Sequence, residues 1–519
     1  MSRWGGVSAR ALVGERKPAR VSGRLRLAGR LARPAAGATA ALRRVPRAAW
    51  VCALVAILNA ICWSIITPPF QTPDEPSHFA YVKQLAETGG PPTSGSGALS
   101  HEEKVVLDAL HAPQVSLRPQ NRTLASAAEE RTLEGALAPR NASRGSPAAG
   151  NAAGEPPLYY ALEAIPYELA RGGTLLDRLQ LMRLLSALFA GLTALFTFLF
   201  VREALPRTAW AWTVGALAVA LAPLLGFMSG SVNPDSLLFA VSAASFYVLA
   251  RAFRRGFDMP AALAIGGVSA VGLLTKLNFV GLIPGILLAL AVLAVRTLRA
   301  SGRLPYRALA LALGIGAIPV LAYAAVSTFS DSPTVGVVSS AAGSAHRSLV
   351  SELVYVWQLF LPRLPGMAND FPGLFTARQL WFDGYVGLYG WLDTPFPGWI
   401  ETLALAPAGA ILLLCARSLL RARATLRHRI GELFVYAALI LGLLLTIGID
   451  SYHAFPAIDA EYAQVRYLLP LLPLLGAILA LAARGAGRRW GPAVGVLIVL
   501  LFLAHDVFSQ LQVVARFYG

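Results

Sequence analysis

Apolar runs of about 20 residues recur along the chain and constrain its fold more than any other feature. A helix of that length crosses about 30 Å of hydrocarbon. Hydrophobic residues make up 56% of the 519 residues, and charged residues only 14%. The alternating segments typical of a membrane β-barrel are absent from the sequence. The pattern predicts an all-α polytopic membrane protein with about eleven membrane-spanning helices.

Short polar loops and two long segments separate the predicted spans. No small-residue cleavage site follows the first span, so we expect this helix to be retained. The three cysteines lie inside predicted spans, which leaves no disulfide framework for the loops, and no Cys/His spacing typical of zinc occurs. The spans are predicted near residues 48–66, 179–201, 208–226, 235–250, 260–275, 277–295, 308–328, 401–416, 431–449, 468–483 and 491–505.

The basic residues are distributed unevenly between the two predicted sides of the membrane. With a cytoplasmic N-terminus, the cytoplasmic tail and loops contain 29 of the 45 Lys and Arg residues but only four acids. The external segments contain the other 16 basic residues and 24 acids. This asymmetry follows the positive-inside rule, and the basic side suits anionic membrane lipids. Nucleic acid is not an expected partner, because no stacking or groove-reading motif accompanies the charge.

This topology divides the chain into three regions. Residues 1–47 are predicted to form a disordered basic cytoplasmic tail, and 48–505 the integral membrane domain. Within that domain, 67–178 is a first external loop with juxtamembrane helices, and 329–400 is a second large external loop. Residues 506–519 are expected to form an external C-terminal tail. The juxtamembrane helices are predicted at 78–86 and about 155–170.

The first external loop opens with a polar segment, Thr67 to Phe79, directly after the first span. Two adjacent carboxylates, Asp74 and Glu75, stand there among four prolines, which fix φ and stiffen the turn. A positioned carboxylate near a nucleophilic hydroxyl acts as a general base. We expect this pair to be catalytic, with Asp74 as the favoured base, and one of the two could serve only as a structural hydrogen-bond acceptor.

Other polar residues collect at the external ends of several spans. Arg and Lys there suit a phosphate group, and two or three carboxylates suit a hard divalent cation such as Mg²⁺ or Mn²⁺. We predict Asp235 as an auxiliary acid and, with Asp74, as a metal ligand. Solvated helix-end charges are the alternative interpretation. The predicted phosphate-binding residues are Lys276, Arg466 and Arg183, and the predicted substrate groove contains His78, Glu155, Tyr159, Tyr160, Asn233, Trp391 and Asp393.

Six short motifs together resemble a bacterial membrane-protein family, the domain of unknown function 2142, which is related to membrane glycosyltransferases of the GT-C type. The resemblance covers roughly residues 48–505. The motifs are Pro-Pro-Phe-Gln-Thr-Pro-Asp-Glu-Pro-Ser-His-Phe at 68–79, Pro-Pro-Leu-Tyr-Tyr at 156–160, Asn-Pro-Asp at 233–235, Leu-Thr-Lys at 274–276, Gly-Trp-Leu-Asp-Thr at 390–394 and Arg-Tyr-Leu-Leu-Pro at 466–470.

The resemblance implies a GT-C-like fold in the bacterial inner membrane and transfer of a hexosyl or pentosyl group with inversion. The implied donor is a polyprenyl-phosphate sugar, and the acceptor an envelope glycan, glycolipid or protein at the extracytoplasmic face. The resemblance carries a catalytic acid over to Asp74, an auxiliary acid or metal ligand to Asp235, and phosphate contacts to Lys276 and Arg466. Glu155 departs from the His that related transferases often show, and no Trp-Trp-Asp motif is present, which makes protein N-glycosylation an unexpected activity.

Two other classes of function remain open at this stage. A transporter or flippase for a lipid-linked or anionic substrate would need polar groups near the bilayer midplane and broken helices. A non-catalytic envelope assembly protein would use the long external loops for partners. Convergence of Asp74, Asp235, Lys276 and Arg466 on one place would favour the enzyme, because catalytic groups must reach one reacting centre.

Overall fold

The computed structural model describes most of the chain outside the N-terminus. Residues 1–44, most of the predicted tail, lie outside the described residues, as do 330–347 of the second external loop and the acidic residues Asp459 and Glu461. The described residues are 45–92, 99–116, 118, 121, 127–137, 150–329, 348–369, 371, 376–458 and 463–518.

The N-terminal part of the described chain is one long apolar helix followed by a cluster of short helices. A short 3₁₀ turn, Gly150–Gly154, precedes the last of these short helices. Ser100 and Glu103 form a capping box at the start of the third helix, in which each side chain accepts the other residue's backbone N–H. The helices are α1 (Arg47–Ile66), α2 (Glu75–Thr88), α3 (His101–Ala109), α4 (Ala112–Val115), α5 (Ala127–Ala136) and α6 (Leu158–Leu169).

The middle of the chain forms a compact group of long helices. A capping box of Thr174 and Asp177 begins the first of them, and Asp258 caps the fifth through the backbone N–H of Ala261. A 3₁₀ turn, Leu277–Leu282, precedes the sixth. The helices are α7 (Leu175–Ala204), α8 (Ala209–Ala220), α9 (Pro223–Ser229), α10 (Asp235–Arg255), α11 (Met259–Thr275), α12 (Ile283–Ser301) and α13 (Tyr306–Phe329).

The C-terminal part combines further long helices with a small hairpin. Strands β1 (Leu388–Tyr389) and β2 (Thr394–Pro395) pair antiparallel, with Leu388 opposite Pro395. A π-helical turn, Arg378–Asp383, leads into the hairpin, and a 3₁₀ turn, Val465–Leu471, leads into α19. The helices are α14 (Leu349–Phe360), α15 (Gly384–Gly387), α16 (Gly398–Arg421), α17 (Arg423–His428), α18 (Ile430–Ile458), α19 (Leu472–Gly485) and α20 (Gly487–Tyr518).

The predicted fold class, an all-α polytopic membrane protein, is confirmed. Within the described residues, nine helical segments are long and apolar enough to cross a membrane, and a tenth candidate consists of α8 and α9 together. The remaining predicted span, 260–275, corresponds to α11, which is apolar but has only 17 residues. Each of the eleven predicted apolar segments is therefore helical.

The predicted span at 208–226 is broken. Its two halves, α8 and α9, meet at an angle of 54°. Pro223 begins α9, lacks a backbone N–H, and disfavours helical geometry at Ala222, whose φ and ψ of −72° and 118° are extended. The break frees the carbonyl of Ala220, which accepts a hydrogen bond from Asn59 of α1 at 3.2 Å.

Helices α7 and α10 pack along each other at the centre of the molecule and are more buried than α13 and α16. Their buried faces carry small residues together with large apolar ones, and this mixture brings helices close together. The apolar faces of α13 and α16 lie mainly at the surface, as lipid-facing helices do. The central pair therefore supplies the rigid frame for the polar residues at its ends.

Two predicted regions differ from the structure. Residues 506–518, expected as a C-terminal tail, continue α20, and Asp506, Ser509 and Arg516 are buried within it. Juxtamembrane helices α2 and α6 do form, but they pack on each other and on neighbouring elements, so α2 is buried along most of its first half. These helices therefore belong to the packed core of the protein.

Candidate active site

In the turn between α1 and α2, two residues have a backbone conformation that few residues other than glycine adopt. Phe70 and Asp74 have φ values of 64° and 66°. Such left-handed conformations of non-glycine residues cost about 1–3 kcal/mol each and occur where surrounding contacts determine the backbone. Asp74 stands at the N-cap of α2, but its side chain makes no capping hydrogen bond. Its carboxylate is therefore turned toward other partners.

Glu75 holds this turn in place. Its carboxylate is fully buried and accepts hydrogen bonds from the backbone N–H groups of Phe70 at 2.9 Å and Val232 at 3.0 Å. The guanidinium of Arg183 donates to both Glu75 oxygens, from Nε at 2.8 Å and from Nη2 at 2.6 Å. With all these acceptor positions used, Glu75 acts as a structural anchor, and the expected catalytic role for Glu75 is not supported by the geometry.

Arg183 is fully committed to the same turn. Besides the two bonds to Glu75, its Nη groups donate to three backbone carbonyls, those of Ser64, Thr67 and Pro68, at 2.9, 2.9 and 3.1 Å. A guanidinium has five N–H donors, and all five are used here. The prediction that Arg183 binds phosphate is therefore wrong, because no donor remains for a ligand.

Asp74 points to Arg466. Nη2 of Arg466 donates to Asp74 Oδ2 at 2.5 Å, and the Asp74 side chain is 26% exposed. Burial raises the pKa of Asp74, but the guanidinium of Arg466, with a smaller contribution from Lys276, holds the pKa below its ordinary value. Asp74 is thus an ionised carboxylate, partly open to solvent, in an otherwise buried cluster.

Asp235 and Lys276 form a buried ion pair beside it. Lys276 Nζ lies 2.8 Å from Asp235 Oδ1, and Nε of Arg466 lies 3.8 Å from Asp235 Oδ2. Asp235 is the first residue of α10, where the positive end of the helix dipole favours a carboxylate. Asn233 accepts the backbone N–H of Asp235 at 3.0 Å and donates to the carbonyl of Pro73 at 3.3 Å. This last bond links the loop before α10 to the turn between α1 and α2 that contains Asp74, called the Asp74 turn below.

Four of the predicted site residues therefore form one connected network. The side chains of Asp74, Arg466, Asp235 and Lys276 join through contacts of 2.5, 3.8 and 2.8 Å. They come from four separate parts of the chain: the turn before α2, the 3₁₀ turn before α19, the start of α10 and the end of α11. We call these four residues the charge cluster. Their convergence is the arrangement expected of catalytic groups that act on one reacting centre.

His78 and Tyr160 lie next to the charge cluster. Burial lowers the pKa of His78 to about 3, and the charges of Asp74, Lys276, Arg466 and Asp235 partly cancel in their effects on it. The imidazole is therefore neutral, and its Nδ1 lies 2.9 Å from the hydroxyl of Tyr160. The ring of Tyr160 stacks on Tyr81 with centroids 3.6 Å apart. Both predicted groove residues are buried in the closed packing of α2 against α6.

Glu155 and Trp391 border the same region. Burial raises the pKa of Glu155, and the nearby ammonium of Lys276 opposes this increase. Its Oε2 accepts the backbone N–H of Leu277 at 3.4 Å. Trp391, in the turn between β1 and β2, donates from Nε1 to the carbonyl of Phe70 at 3.1 Å. The hairpin therefore contacts the Asp74 turn directly.

Two predicted groove residues lie apart from the charge cluster. Tyr159 is fully buried, and its hydroxyl lies 2.8 Å from Ser186 Oγ, which itself donates to Glu163 at 2.9 Å. Asp393 is also buried and lies 3.6 Å from Arg516 near the end of α20. Tyr159 is therefore held by a hydrogen bond and Asp393 by an ion pair, and neither residue belongs to the charge cluster.

Sequence reasoning missed two groups that contact the charge cluster. Tyr467 lies with its ring 5.2 Å from the Arg466 guanidinium and 5.8 Å from Lys276 Nζ. An aromatic residue directly after the arginine was the available signal. The other group is the carbonyl of Pro73, which accepts from both Asn233 and Arg466, the latter at 3.4 Å. A backbone carbonyl leaves no signal in residue type.

The cation that the sequence suggested for Asp74 and Asp235 does not fit their surroundings. In the part of the chain that the structure describes, no group of three or more His, Cys, Asp and Glu side chains is placed to hold a metal ion. Each of the two carboxylates is instead bonded to a basic side chain. A divalent cation would have to displace these bonds.

Comparisons with known proteins match this chain to solved structures and to one family. The oligosaccharyltransferase of Archaeoglobus fulgidus in its apo form matches with 13% sequence identity and a TM-score of 0.41, over 90% of this chain and 56% of that chain. This chain thus spans little more than half the length of that protein, and the function of this chain has to be inferred from its own site. No curated protein matches the sequence.

The sequence shows the family to which this chain belongs. The family model described as "Predicted membrane protein (DUF2142)" matches residues 57–475, a region that includes α2, α6 and every member of the charge cluster. This protein therefore belongs to the DUF2142 family of membrane proteins.

Proposed function

We propose that this protein is a membrane glycosyltransferase that transfers a sugar from a polyprenyl-phosphate donor to an acceptor hydroxyl at the extracytoplasmic face. The observation that carries the proposal is the charge cluster: an ionised, partly exposed carboxylate, Asp74, lies in one network with two basic side chains, Lys276 and Arg466. A general base next to phosphate-binding groups is what sugar transfer from a phosphate leaving group requires.

The proposed reaction is a single displacement. Asp74 accepts the proton of the acceptor hydroxyl while that oxygen forms a bond to the anomeric carbon of the donor. The bond from the anomeric carbon to the phosphate oxygen breaks, and its electron pair leaves with the polyprenyl phosphate. Lys276 and Arg466 stabilise the negative charge of the leaving phosphate, since their positions are fixed before the reaction. Attack opposite the leaving group inverts the anomeric centre.

The lipid-linked donor follows from the expected orientation. Nucleotide sugars are made in the cytoplasm, whereas the charge distribution of the loops puts the Asp74 turn on the opposite side. A sugar on that side needs a carrier that crosses the membrane, and a polyprenyl phosphate meets this need. We propose an envelope glycan, glycolipid or protein as the acceptor and the bacterial inner membrane as the location.

A transporter or flippase is the second candidate, and two observations favour it. The α8–α9 pair is broken, and Asp506 of α20 is buried against Asn59 and Trp63 of α1. Asp506 nevertheless accepts hydrogen bonds from Asn59, Trp63 and Gln510 within 3.2 Å, so its carboxylate is satisfied by the protein itself. Such a satisfied cluster fits helix packing better than a transport site.

The deciding experiment supplies the purified protein with radiolabelled polyprenyl-phosphate sugars and membrane acceptors. We expect the wild type to consume a donor and Asp74→Asn to lose about 10²–10⁴-fold in rate, because the general base is removed. Glu168→Gln, at an exposed acid whose partner is Arg171, is the control and should keep its activity. Donor consumption by none of the sugars tested, or full activity in Asp74→Asn, would contradict the proposal.

A further inference from the structure

We infer that Lys276 and Arg466 take the place that a divalent cation would occupy between Asp74 and Asp235, so that this site works without a bound metal. The inference deepens the proposed transferase and rests on it for its meaning. Its central test, however, measures cation binding and does not require turnover.

The first argument comes from the carboxylate oxygens. A divalent cation such as Mg²⁺ needs several oxygen ligands that converge at about 2.0–2.1 Å. Here Oδ1 of Asp235 is bonded to the ammonium of Lys276 at 2.8 Å, and Oδ2 of Asp74 to the guanidinium of Arg466 at 2.5 Å. Nε of the same guanidinium lies 3.8 Å from Oδ2 of Asp235. Basic nitrogen atoms, not a shared cavity of oxygens, therefore link the two carboxylates.

The second argument is the balance of charge. The carboxylates of Asp74 and Asp235 carry two negative charges, and Lys276 with Arg466 carries two positive charges, the same charge as one Mg²⁺ or Mn²⁺ ion. Lys276 and Asp235 are buried almost completely, and buried charges require such pairing. Adding a divalent cation to these four side chains would leave the cluster with two excess positive charges.

The third argument is the lack of further ligands around the pair. Asn233 Oδ1, an amide oxygen in the loop before α10, already accepts the backbone N–H of Asp235. The carbonyl of Pro73 accepts from Asn233 and Arg466. A cation that used these two oxygens would therefore compete with hydrogen bonds that the protein already makes.

This arrangement has a consequence for the donor. Cations fixed on the protein remain at the site when the product phosphate leaves, whereas a metal ion can exchange with solvent. Lys276 is held over the ring of Tyr467 and beside Asp235, so its ammonium is positioned before a phosphate arrives. Donor binding would then need no metal ion bridging protein and phosphate.

The test uses the full-length purified protein, freed of metals with a chelator, and titration with Mn²⁺ followed by electron paramagnetic resonance. We expect the wild type to show no saturable Mn²⁺ site that depends on Asp235, and donor turnover to be unchanged by EDTA. A stoichiometric Mn²⁺ site in the wild type that is lost in Asp235→Asn would overturn the inference. If wild-type protein shows no turnover at all, the proposed function fails, while the Mn²⁺ titration still decides the inference.

A variant of Lys276 should gain the Mn²⁺ binding that we expect the wild type to lack. Lys276→Met removes the ammonium but keeps the length of the side chain, so the freed Asp235 carboxylate should gain Mn²⁺ binding. Lys83→Met is the matched control, because Lys83 is a buried lysine 3.7 Å from Glu102, outside the charge cluster. Glu102 keeps its bond to Arg178 at 2.9 Å in that variant, and we expect no new Mn²⁺ site there. The wild-type titration stands even if Lys276→Met does not fold.

Discussion

At the scale of single residues, the two adjacent acids of the turn have different roles because the backbone separates them. Asp74 has a left-handed conformation that directs its carboxylate to Arg466, while Glu75 begins α2 and directs its carboxylate to Arg183. One is partly exposed and the other fully buried. The sequence singles out this acid pair, but it does not tell which acid bonds to which arginine. That depends on contacts of the turn with α7 and with the 3₁₀ turn before α19.

The first prediction concerns Glu75→Gln. The change leaves Arg183 as a buried charge without its ionic partner, which typically costs about 3–5 kcal/mol, and it removes the anchor of the Asp74 turn. Thermal unfolding of the purified protein in detergent should show a clear loss of stability. Glu168→Gln at the exposed Arg171 pair should change stability by less than about 1 kcal/mol. Equal unfolding temperatures for Glu75→Gln and the wild type would refute the anchor role.

The second prediction concerns pH and His78. Burial lowers the pKa of this imidazole to about 3, below its ordinary value of about 6.5, so only the unfolded state takes up the proton between these values. The contribution of neutral His78 to stability is complete above about pH 6.5 and is lost as the pH falls toward 3. The wild type should therefore lose about 2–3 kcal/mol more than His78→Gln between pH 7 and pH 4. Parallel unfolding temperatures of the two proteins across this range would contradict the buried neutral state.

At the scale of secondary-structure elements, close helix packing decides how the charge cluster is assembled. Gly215 of α8 and Gly476 of α19 meet so closely that a Cβ atom on Gly215 would lie 2.2 Å from the Gly476 carbonyl oxygen. This contact fixes α19, and the 3₁₀ turn before α19 carries Arg466. Apolar periodicity predicts both helices, but it does not predict which faces meet.

The third prediction tests this contact. Gly215→Ala should destabilise the protein by about 1–3 kcal/mol, because one of the two backbones must move away. Gly267→Ala is the matched control: Gly267 also lies within a helix, α11, but has open space where a Cβ atom would be. Alanine there should be neutral or stabilise by up to about 1 kcal/mol. Thermal unfolding in detergent measures both, and a Gly215→Ala protein as stable as the control would refute the close approach.

At the scale of the whole molecule, orientation in the membrane decides which sugar donors the charge cluster could meet. The clustering of basic residues in the predicted cytoplasmic loops predicts that the Asp74 turn and the juxtamembrane helices lie on the external side. In this predicted orientation, the proposed site would face lipid-linked sugars. A reversed orientation would expose the same residues to nucleotide sugars.

The fourth prediction tests the orientation by cysteine labelling. After replacement of Cys52, Cys62 and Cys415, an impermeant maleimide should label Arg171→Cys in intact cells, because this exposed residue lies in the loop that we predict to be external. Arg427→Cys, an exposed position in α17, should react only after the membrane is permeabilised. The opposite pattern of labelling would invert the topology and remove the reason for a lipid-linked donor.

The long apolar helices of this protein follow from its local sequence. Apolar runs of bilayer length predicted the helical segments, since hydrophobic length is a local property, and charge asymmetry predicted an orientation. The same local reasoning singled out Asp74, Asp235, Lys276 and Arg466, because polar residues at the ends of apolar segments are conspicuous.

The partners of these residues follow from the way distant segments pack together. The loss of Arg183 as a phosphate ligand, the break at Pro223 and the Arg516 partner of Asp393 depend on contacts between distant segments. The pairing of each cluster acid with a basic side chain is also such a contact. A residue's type fixes its possible bonds, whereas the packing of helices fixes which partner comes within reach, and that packing has no local sequence signal.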